Sequence, residues 1–441
     1  MDHTASSSTH REHTPAHNFA EAAGIPESSG ISPHAEHVTG RWRSLLVFAL
    51  IFFVGINLRT VILAIAPILP LIQRDLRLSY TATGLLTSLP LLLMAGFALP
   101  SGLLAGRLGG RRIVGLGLTL LAVGAVLRGL WPAVLPLYIF TVLLSLGITL
   151  VQTTVPVLVR QWFPTRIGLA AALFTDGLIL GETLGAAFTL PIMQRFLGPD
   201  GWPGTMLFWA APTVLALALW LFFAPPAAAT LPARSAAQGQ AARARESAAP
   251  RRRVNALHLG ILLGSGSLIY FGMNAWISPY NVAIGASKAT PLALGVLNAI
   301  QLPVGLSLLP FAQRLAGRRW PFLVAGSVCL VAIFGWVFSP VAWQPFWAAW
   351  LGASSSFVFV LGIALPSLLA DRASVARLAG ATLTISYGVA FLGPLLGGSF
   401  WDLTHLPQWA FAPVSIAGLL LIVLGAMLPS RTNFGLVDEA K

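Results

Sequence analysis

Twelve long apolar stretches constrain the fold of this chain more than any other feature of its sequence. Each is long enough to cross a hydrocarbon layer about 30 Å thick as a helix. Only 9% of the 441 residues are charged, against about 25% in an ordinary soluble domain. The sequence therefore predicts an all-α membrane protein and excludes a soluble enzyme core. The predicted spans lie near residues 44–71, 81–105, 112–130, 134–160, 167–192, 204–223, 257–283, 291–313, 320–339, 343–370, 379–400 and 409–429.

The distribution of basic residues predicts the orientation of the chain. The sequence has 27 Lys and Arg against 14 Asp and Glu, which gives a net charge of +13. Most of the basic residues fall on one side of the predicted spans, as the positive-inside rule expects for the cytoplasmic side. We therefore expect a multi-pass protein of a bacterial-type inner (plasma) membrane, held in the lipid bilayer with both termini in the cytoplasm. The positive-inside rule already explains the excess of positive charge, so we expect no nucleic-acid partner.

Polar segments divide the apolar spans into two groups of six. Residues 1–41 are rich in Ser, Thr, His, Ala and Glu and are predicted to form a disordered cytoplasmic tail. Residues 224–256 contain six arginines and are predicted to form a basic cytoplasmic linker. The remaining predicted domains are a six-helix half at 42–223, a second six-helix half at 257–429, and a short cytoplasmic tail at 430–441.

Neither metal nor disulfide chemistry is predicted. Six of the eight histidines lie in the first 40 residues, but their spacing is irregular and no cysteine accompanies them. The single cysteine, Cys329, lies in an apolar run. No segment has the form Gly-x-x-x-x-Gly-Lys-Ser/Thr, so ATP is not expected to drive the protein directly. We expect no cofactor and no enzymatic activity.

The loops that follow the second and eighth spans repeat one another. Gly106–Arg112 has the sequence Gly-Arg-Leu-Gly-Gly-Arg-Arg, and residues 313–319 have Gln-Arg-Leu-Ala-Gly-Arg-Arg. A six-helix unit repeated in parallel predicts twelve transmembrane helices in two halves, related by a pseudo-two-fold axis along the membrane normal. Both loops resemble the loop motif of the major facilitator superfamily, Gly-x-x-x-Asp-Arg-x-Gly-Arg-Arg/Lys. The acidic position of the motif is Gly106 in the first loop and Gln313 in the second, so we expect its usual salt bridge to be missing or replaced. The resemblance implies a gating role for the basic residues of these loops, which are Arg107, Arg111, Arg112, Arg314, Arg318 and Arg319.

Three segments give a narrower resemblance, to the cyanate porter family of that superfamily. They are Asn57-Leu58-Arg59 followed by Ala66–Pro70 in the first span, Tyr270–Pro279 in the seventh, and Ser386–Pro394 with Gly397 and Asp402 in the eleventh. The family includes cyanate transporters and 2-nitroimidazole exporters, and the resemblance covers residues 42–429. It implies alternating access by rocking of the two halves, with spans 1, 2, 4, 5, 7, 8, 10 and 11 lining a central cavity. The sequence departs from the family at Thr60, where the family has proline, and at Ser278, which is an insertion or shift.

Arg59 is the residue within the spans that most directly predicts function. It lies in the middle of the first span, where an arginine costs a few kcal/mol to insert and therefore faces a cavity or a partner. Its guanidinium stays charged and offers a planar fork of donors that suits carboxylates and other anions. We interpret Arg59 as the anion-binding group of a transport pathway. A structural ion pair between helices is the alternative.

Two acidic residues, Asp176 and Glu182, are predicted to lie deep in the membrane, both on the fifth span. At 1.5 Å rise per residue, Glu182 lies at the depth of Arg59, and Asp176 lies about 9 Å nearer the cytoplasm. We therefore predict a charge pair between Arg59 and Glu182. A buried carboxylate either pairs with a cation or takes up a proton, so both acids are candidates for proton coupling. Asp176 is preferred for this role, and Glu182 is the alternative.

Polar and aromatic side chains of the other spans complete the predicted substrate site. Each alone is typical of helix packing, since polar side chains commonly bridge membrane helices. Together they predict a cavity with one cationic anchor, several neutral donors and aromatic walls, which suits a small planar anion or a weakly acidic heteroaromatic compound. Arg128, near the outer end of the third span, is expected instead to extend toward the membrane surface. The predicted substrate-binding residues are Arg59, Asn57, Tyr270, Asn274, Trp276, Asn298, Gln301 and Tyr387.

These observations together predict a secondary transporter that moves a small organic or inorganic anion, cyanate-like or carboxylate-bearing, by alternating access. Because no ATP site is present, the acids of the fifth span make protons the expected coupling partner. The alternative is a proton-driven exporter of nitroheteroaromatic or other small drug-like compounds. A membrane sensor that keeps the fold for ligand binding is a third class, which the lack of an appended signalling domain disfavours. We expect the protein to act as a monomer.

Overall fold

The computed structural model describes residues 41–226, 255–308, 311, 315, 318–369 and 375–428. Within these ranges the chain is helical without a strand, and 12 helical spans are long and apolar enough to cross a membrane. The predicted fold class is therefore confirmed. The predicted tails except Arg41, most of the predicted linker, and Arg314 lie outside the described residues. We number the spans 1 to 12 in chain order: Arg41–Leu76, Tyr80–Leu108, Gly110–Leu130, Val134–Trp162, Ile167–Leu197, Trp202–Phe223, Ala256–Ala283, Ser287–Leu308, Trp320–Phe338, Val341–Pro366, Arg377–Thr404 and Pro407–Met427.

The two halves are separate helical bundles that meet mainly along four spans. In the first half, span 3 packs on spans 4 and 6, and span 5 packs on span 1. In the second half, span 12 packs on spans 7 and 9, and span 10 packs on spans 7, 8 and 9. Spans 2 and 11 form one contact between the halves, and spans 5 and 8 form another. A transport pathway between the halves is therefore bounded by these four spans.

A proline interrupts span 1 beyond Arg59. The span consists of the helices Arg41–Leu63 and Ile65–Leu76, with Ala64 between them. Pro67 has no N–H to donate, and its ring conflicts with the carbonyl four residues earlier, that of Leu63. The second helix packs on span 7 of the other half. Span 1 therefore carries Arg59 before the break and a contact between the halves after it.

The halves touch at one end of the molecule and are apart at the other. Following the predicted topology, we call the end where span 1 finishes and span 2 begins the outer end. There Gly84 faces the backbone of Pro394, and Gly398 faces the backbone of Tyr80, so closely that a side chain at either glycine would collide. Toward the inner end, nothing lies within 4 Å of the Cβ position of one glycine on each of the four bounding spans, namely Gly102, Gly168, Gly305 and Gly380. The backbones of spans 2 and 11 are thus in contact at the outer end, whereas the four bounding spans have free space around these glycines toward the inner end.

A carboxylate near the end of span 11 holds the outer end of span 2. Asp402 accepts hydrogen bonds from the backbone N–H groups of Tyr80 at 3.0 Å and Thr81 at 2.7 Å, and from the Thr81 hydroxyl at 2.6 Å. Tyr80 also stacks on Trp401, with ring centroids 4.0 Å apart. Unpaired N–H groups and the positive end of the helix dipole lie at the start of span 2, so the Asp402 carboxylate caps this helix. We call this contact between the halves the outer latch.

Candidate substrate-binding site

The predicted charge pair between Arg59 and Glu182 is present in the structure. The Arg59 Nε atom lies 3.5 Å from Glu182 Oε1, and each side chain is 7% exposed. Spans 1 and 5 approach closely at Gly181, where the absence of a side chain leaves room for the backbone of Ile56. The Thr60 hydroxyl donates to the Gly181 carbonyl at 3.1 Å. Close helix packing therefore brings the two charged side chains together.

Two donor groups of Arg59 have no acceptor. Its Nε and Nη1 atoms are buried, and neither makes a hydrogen bond. The ion pair with Glu182 therefore supplies charge compensation without satisfying these N–H groups. A buried donor left without an acceptor costs about 1–3 kcal/mol, and more when the group is charged. Because native structures retain few such groups, the free donors make Arg59 the leading candidate to bind a ligand rich in acceptor atoms.

Side chains of spans 7 and 8 reach Glu182 from the other half. Gln301 Nε2 donates to Glu182 Oε2 at 3.5 Å. The Tyr270 hydroxyl lies beside the same carboxylate and donates to Asn298 Oδ1. Asn298 in turn donates to Asn274 Oδ1 at 2.9 Å. Four residues of the predicted site thus form one polar network around Glu182.

Two aromatic side chains lie beside the Arg59 guanidinium, and an amide contacts one of them. The Arg59 Cζ atom lies 5.8 Å from the centre of the Phe271 ring, which is a cation–π distance. The Tyr387 hydroxyl interacts with the guanidinium and accepts a hydrogen bond from Gln152 Nε2 at 3.1 Å. Phe271 and Gln152 are absent from the site predicted from sequence. The available signals were weak: Phe271 adjoins Tyr270, and Gln152 is a polar residue deep in span 4.

Two predicted substrate-binding residues lie away from this cluster. Asn57 donates to the Phe53 carbonyl at 2.8 Å, and its Oδ1 atom accepts from Thr213 of span 6. Trp276 donates to the Pro394 carbonyl at 3.1 Å, close to the outer latch. Residues two or six positions apart do not share a helix face at about 100° per residue. For this reason Asn57 points away from the site that Arg59 faces. Trp276 likewise points away from the site that Tyr270 faces.

Asp176 and Glu182 have different surroundings. Glu182 is 6% exposed and lies inside the polar network. Asp176 is half-buried, and the described residues provide it with no ion pair or hydrogen bond. Six residues along span 5 turn the Asp176 side chain about 240° away from that of Glu182. The structure therefore separates the two acids that the sequence offers as candidates for proton coupling.

The basic residues of the repeated loops contact their own halves. Arg111 Nη2 donates to the Leu221 carbonyl at 3.1 Å, near the end of span 6. Arg319 donates to the Leu428 carbonyl, just after span 12. A cation is favourable at a helix C-terminus, so each contact anchors a loop to the last span of the same half. Their gating role stays a prediction, as does that of Arg107 and Arg112, which are exposed at the ends of spans 2 and 3, and of the exposed Arg318.

The expectation that Arg128 extends toward the membrane surface is wrong. The residue is 3% exposed, and its Nη2 atom donates to the Val61 carbonyl of span 1 at 3.0 Å. Because the first helix of span 1 ends at Leu63, its last carbonyls have no partner within that helix. A buried carbonyl without a donor is costly. The free Val61 carbonyl therefore gives Arg128 an acceptor inside the bundle.

These features define a class of protein. Two six-helix halves enclose a space open at one end, and a buried cation with free donors lies between them, which is the organisation of a membrane carrier. The chain belongs to the Major Facilitator Superfamily, whose sequence profile matches residues 45–397. It is a multi-pass membrane transporter related to transporters of cyanate and of 2-nitroimidazole.

Relatives with named substrates cover nearly the whole chain. The chain is 29% identical over 388 residues to the cyanate transport protein CynX of Escherichia coli (strain K12), covering 86% of this chain and 96% of the relative. It is 27% identical over 390 residues to the 2-nitroimidazole transporter of the same strain, covering 88% and 96%.

Solved structures share the fold. A D-xylose–proton symporter aligns with a TM-score of 0.70 at 14% identity, over 88% of this chain and 99% of that one. A bacterial homologue of the human lysosomal transporter Spinster, inward-facing and unoccupied, aligns with a TM-score of 0.63 at 15% identity, over 90% and 97%. At these identities the likeness shows the fold alone.

Proposed function

We propose that this transporter moves a small organic or inorganic anion across the inner (plasma) membrane by alternating access coupled to protons. The observation that carries the proposal is the buried Arg59 guanidinium, whose Nε and Nη1 donors have no acceptor. A cyanate ion, a carboxylate or a similar small anion supplies both acceptor atoms and negative charge to these donors. The substrate named for the cyanate-transporting relative belongs to this class.

The surroundings of Arg59 favour a small, flat ligand. The Phe271 ring lies 5.8 Å from the Arg59 Cζ atom, and the Tyr387 hydroxyl lies beside the guanidinium. Gln152 of the first half donates to the Tyr387 hydroxyl, and Gln301 of the second half donates to Glu182. A ligand held among these groups contacts both halves, so its affinity depends on how the halves are arranged. Differential affinity of this kind is what allows a ligand to shift a conformational equilibrium.

We assign proton coupling to Glu182, which lies 3.5 Å from Arg59. An anion that binds Arg59 competes with Glu182 for the same cation. A carboxylate that loses its cationic partner in a desolvated site takes up a proton instead of remaining charged. Binding of the anion thereby favours binding of a proton. Asp176, the residue preferred from sequence, has no cationic partner among the described residues with which an anion could compete.

A second candidate function is proton-driven export of nitroheteroaromatic or other small drug-like compounds. The Phe271 ring next to Arg59 favours it, because an aromatic ring stacks on a flat heteroaromatic ligand. The relative that transports 2-nitroimidazole belongs to this class. The two candidates differ in the charge of the ligand. An anion depends on the charge of Arg59, whereas a neutral nitroheterocycle depends on hydrogen bonds and aromatic contact.

Calorimetric titration of the purified protein with cyanate, acetate and 2-nitroimidazole distinguishes the two functions. For an anion carrier we expect Arg59→Lys to weaken anion binding at least tenfold, because lysine keeps the charge but lacks the planar fork. Arg59→Gln should abolish it. Arg195, an exposed arginine of span 5 beside Phe196, provides the matched control, and Arg195→Lys should bind as the wild type does. Unchanged anion binding by Arg59→Gln would overturn the anion proposal and favour the exporter.

A further inference from the structure

Arg128 is a second buried arginine in the first half. It is 3% exposed, and its Nη2 atom donates to the Val61 carbonyl at 3.0 Å. Its Nε atom has no acceptor. In the part of the chain that the structure describes, no carboxylate forms an ion pair with it. Burial of a charge is costly unless it is paired, so the retention of this cation requires a reason.

The break in span 1 provides part of the reason. Val61 belongs to the last turn of the helix Arg41–Leu63, whose carbonyls have no partner within the helix. These carbonyls also form the negative end of the helix dipole, where a cation is favourable. An uncharged donor placed at the same point would also satisfy the Val61 carbonyl. The hydrogen bond by itself therefore does not account for the charge of Arg128.

The balance of buried charge accounts for it. Among the described residues, the buried charged side chains are Arg59, Arg128 and Glu182. Arg59 and Glu182 neutralise one another at 3.5 Å, so that pair alone gives little preference for an anion over a neutral ligand. Arg128 adds a positive charge that no described buried carboxylate cancels. Its acceptor, Val61, is two residues from Arg59 in span 1, about 3 Å along the helix axis, so the charge acts on the site through a poorly screened interior.

We propose that Arg128 is a positioning residue that sets the charge selectivity of the site. It makes the surroundings of Arg59 electropositive while Glu182 is ionised, and so favours anions over neutral ligands of the same size. It does not touch the substrate. It acts through its electric field and through the end of the helix that carries Arg59. This inference rests on the proposed transport of anions. It adds that Arg128 gives a net positive charge to a site in which Arg59 and Glu182 otherwise neutralise one another.

Two variants separate the charge of Arg128 from its hydrogen bond. Arg128→Gln removes the charge and leaves a shorter amide donor, whereas Arg128→Lys keeps the charge. We expect Arg128→Gln to weaken acetate binding about tenfold, because removal of a buried unit charge from a poorly screened interior changes the binding free energy by roughly 1.4 kcal/mol. The preference for acetate over acetamide, its neutral counterpart, should fall by the same factor. Arg128→Lys should bind acetate within about threefold of the wild type, and the exposed-residue control Arg195→Gln should be unchanged.

The outcomes separate this inference from the proposed function. Wild-type acetate affinity in Arg128→Gln would overturn the inference and leave the anion site at Arg59 intact. An equal loss of binding in Arg128→Gln and Arg128→Lys, with an equal fall in melting temperature, would show a structural role and also overturn it. Failure of the wild type to bind any small anion would overturn the proposed function and the inference together. Arg128→Met, a second uncharged variant, should show the same tenfold loss and replaces Arg128→Gln if that variant does not fold.

Discussion

Gln301 of span 8 donates a hydrogen bond to Glu182 of span 5 at 3.5 Å and thereby links the two halves at the candidate site. The other oxygen of the same carboxylate lies 3.5 Å from Arg59 of the first half. Glu182 is therefore contacted from both sides of an interface that would rearrange under the proposed alternating access. A change in its charge alters both sets of contacts at once, which physically connects substrate binding to movement of the halves.

Removal of one member of the buried pair should destabilise the protein more than removal of both. Arg59→Gln and Glu182→Gln each leave an uncompensated buried charge, which typically costs about 3–5 kcal/mol, whereas the double variant leaves neither member charged. Thermal unfolding of the solubilised protein, analysed as a double-mutant cycle, measures the coupling. The exposed pair of Arg74 and Asp200, 2.6 Å apart, is the control, and its neutralisation should cost less than about 1 kcal/mol. Strict additivity of the Arg59 and Glu182 effects would contradict their pairing.

Neutralisation of Glu182 should uncouple transport from the proton gradient. Glu182→Gln resembles the protonated carboxyl, so in proteoliposomes we expect exchange of labelled anion to continue and pH-driven accumulation to disappear. Asp176→Asn should accumulate the anion normally, because Asp176 lies outside the polar network around Glu182. Loss of accumulation in Asp176→Asn alone would return the coupling role to Asp176. Normal accumulation in both variants would exclude both acids.

Neutralisation of Asp402 should open the outer end. Asp402→Asn loses charge-assisted hydrogen bonds to Tyr80 and Thr81, each worth about 1.5–3 kcal/mol, so the halves should separate there more often. A cysteine introduced at Ser278, which is 1% exposed, reports this opening in a Cys329→Ser background. Labelling from outside by a membrane-impermeant maleimide should be about tenfold faster in Asp402→Asn than in its parent, because 1.4 kcal/mol already shifts an equilibrium tenfold.

Asp75 provides the control for the outer latch. It is a carboxylate at the same end of the molecule, but its partners Arg74 and Trp202 belong to its own half. Asp75→Asn should leave the labelling rate of the Ser278 cysteine unchanged. If Asp402→Asn also leaves that rate unchanged, the outer latch does not hold the halves together.

The linker between the halves should be inaccessible from outside intact cells. The proposal that the termini and residues 224–256 are cytoplasmic rests on the distribution of Lys and Arg. A cysteine at Ser235 in the Cys329→Ser background should resist an impermeant maleimide until the membrane is permeabilised. A cysteine at Ser287, exposed at the start of span 8, should react in intact cells. The reverse pattern would invert the topology and exchange the outer and inner ends.

Depth in the membrane could be predicted from sequence, whereas rotation about the helix axis could not. Counting residues along spans 1 and 5 placed Arg59 and Glu182 at one depth, and the two side chains meet in the structure. The count gives no rotation, because these spans are apolar on most faces and lack the polar stripe that orients an amphipathic helix. The predicted site therefore included Asn57 and Trp276, which contact other parts of the bundle.

Arg128 and Phe271 show a second limit of sequence reasoning. A cation near the end of a span ordinarily reaches the membrane surface. Only the packing of span 3 against the break in span 1 provides the buried carbonyl that holds Arg128 inside the bundle. Phe271 likewise becomes informative only beside the guanidinium of another span. Both cases depend on contacts between segments distant in sequence, which no local pattern encodes.

We expect the outer latch to determine from which side of the membrane a carrier without substrate can be loaded. With the halves joined at Asp402 and open space around Gly102 and Gly380, an empty site communicates with the cytoplasm under the proposed topology. In an importer, substrate that has already accumulated rebinds from this side and delays the return of the empty protein, so uptake is limited by its own product. In an exporter, the same resting state is ready to load, and turnover follows the internal concentration of the compound. Preloading vesicles with substrate therefore slows net entry in the first case and accelerates efflux in the second.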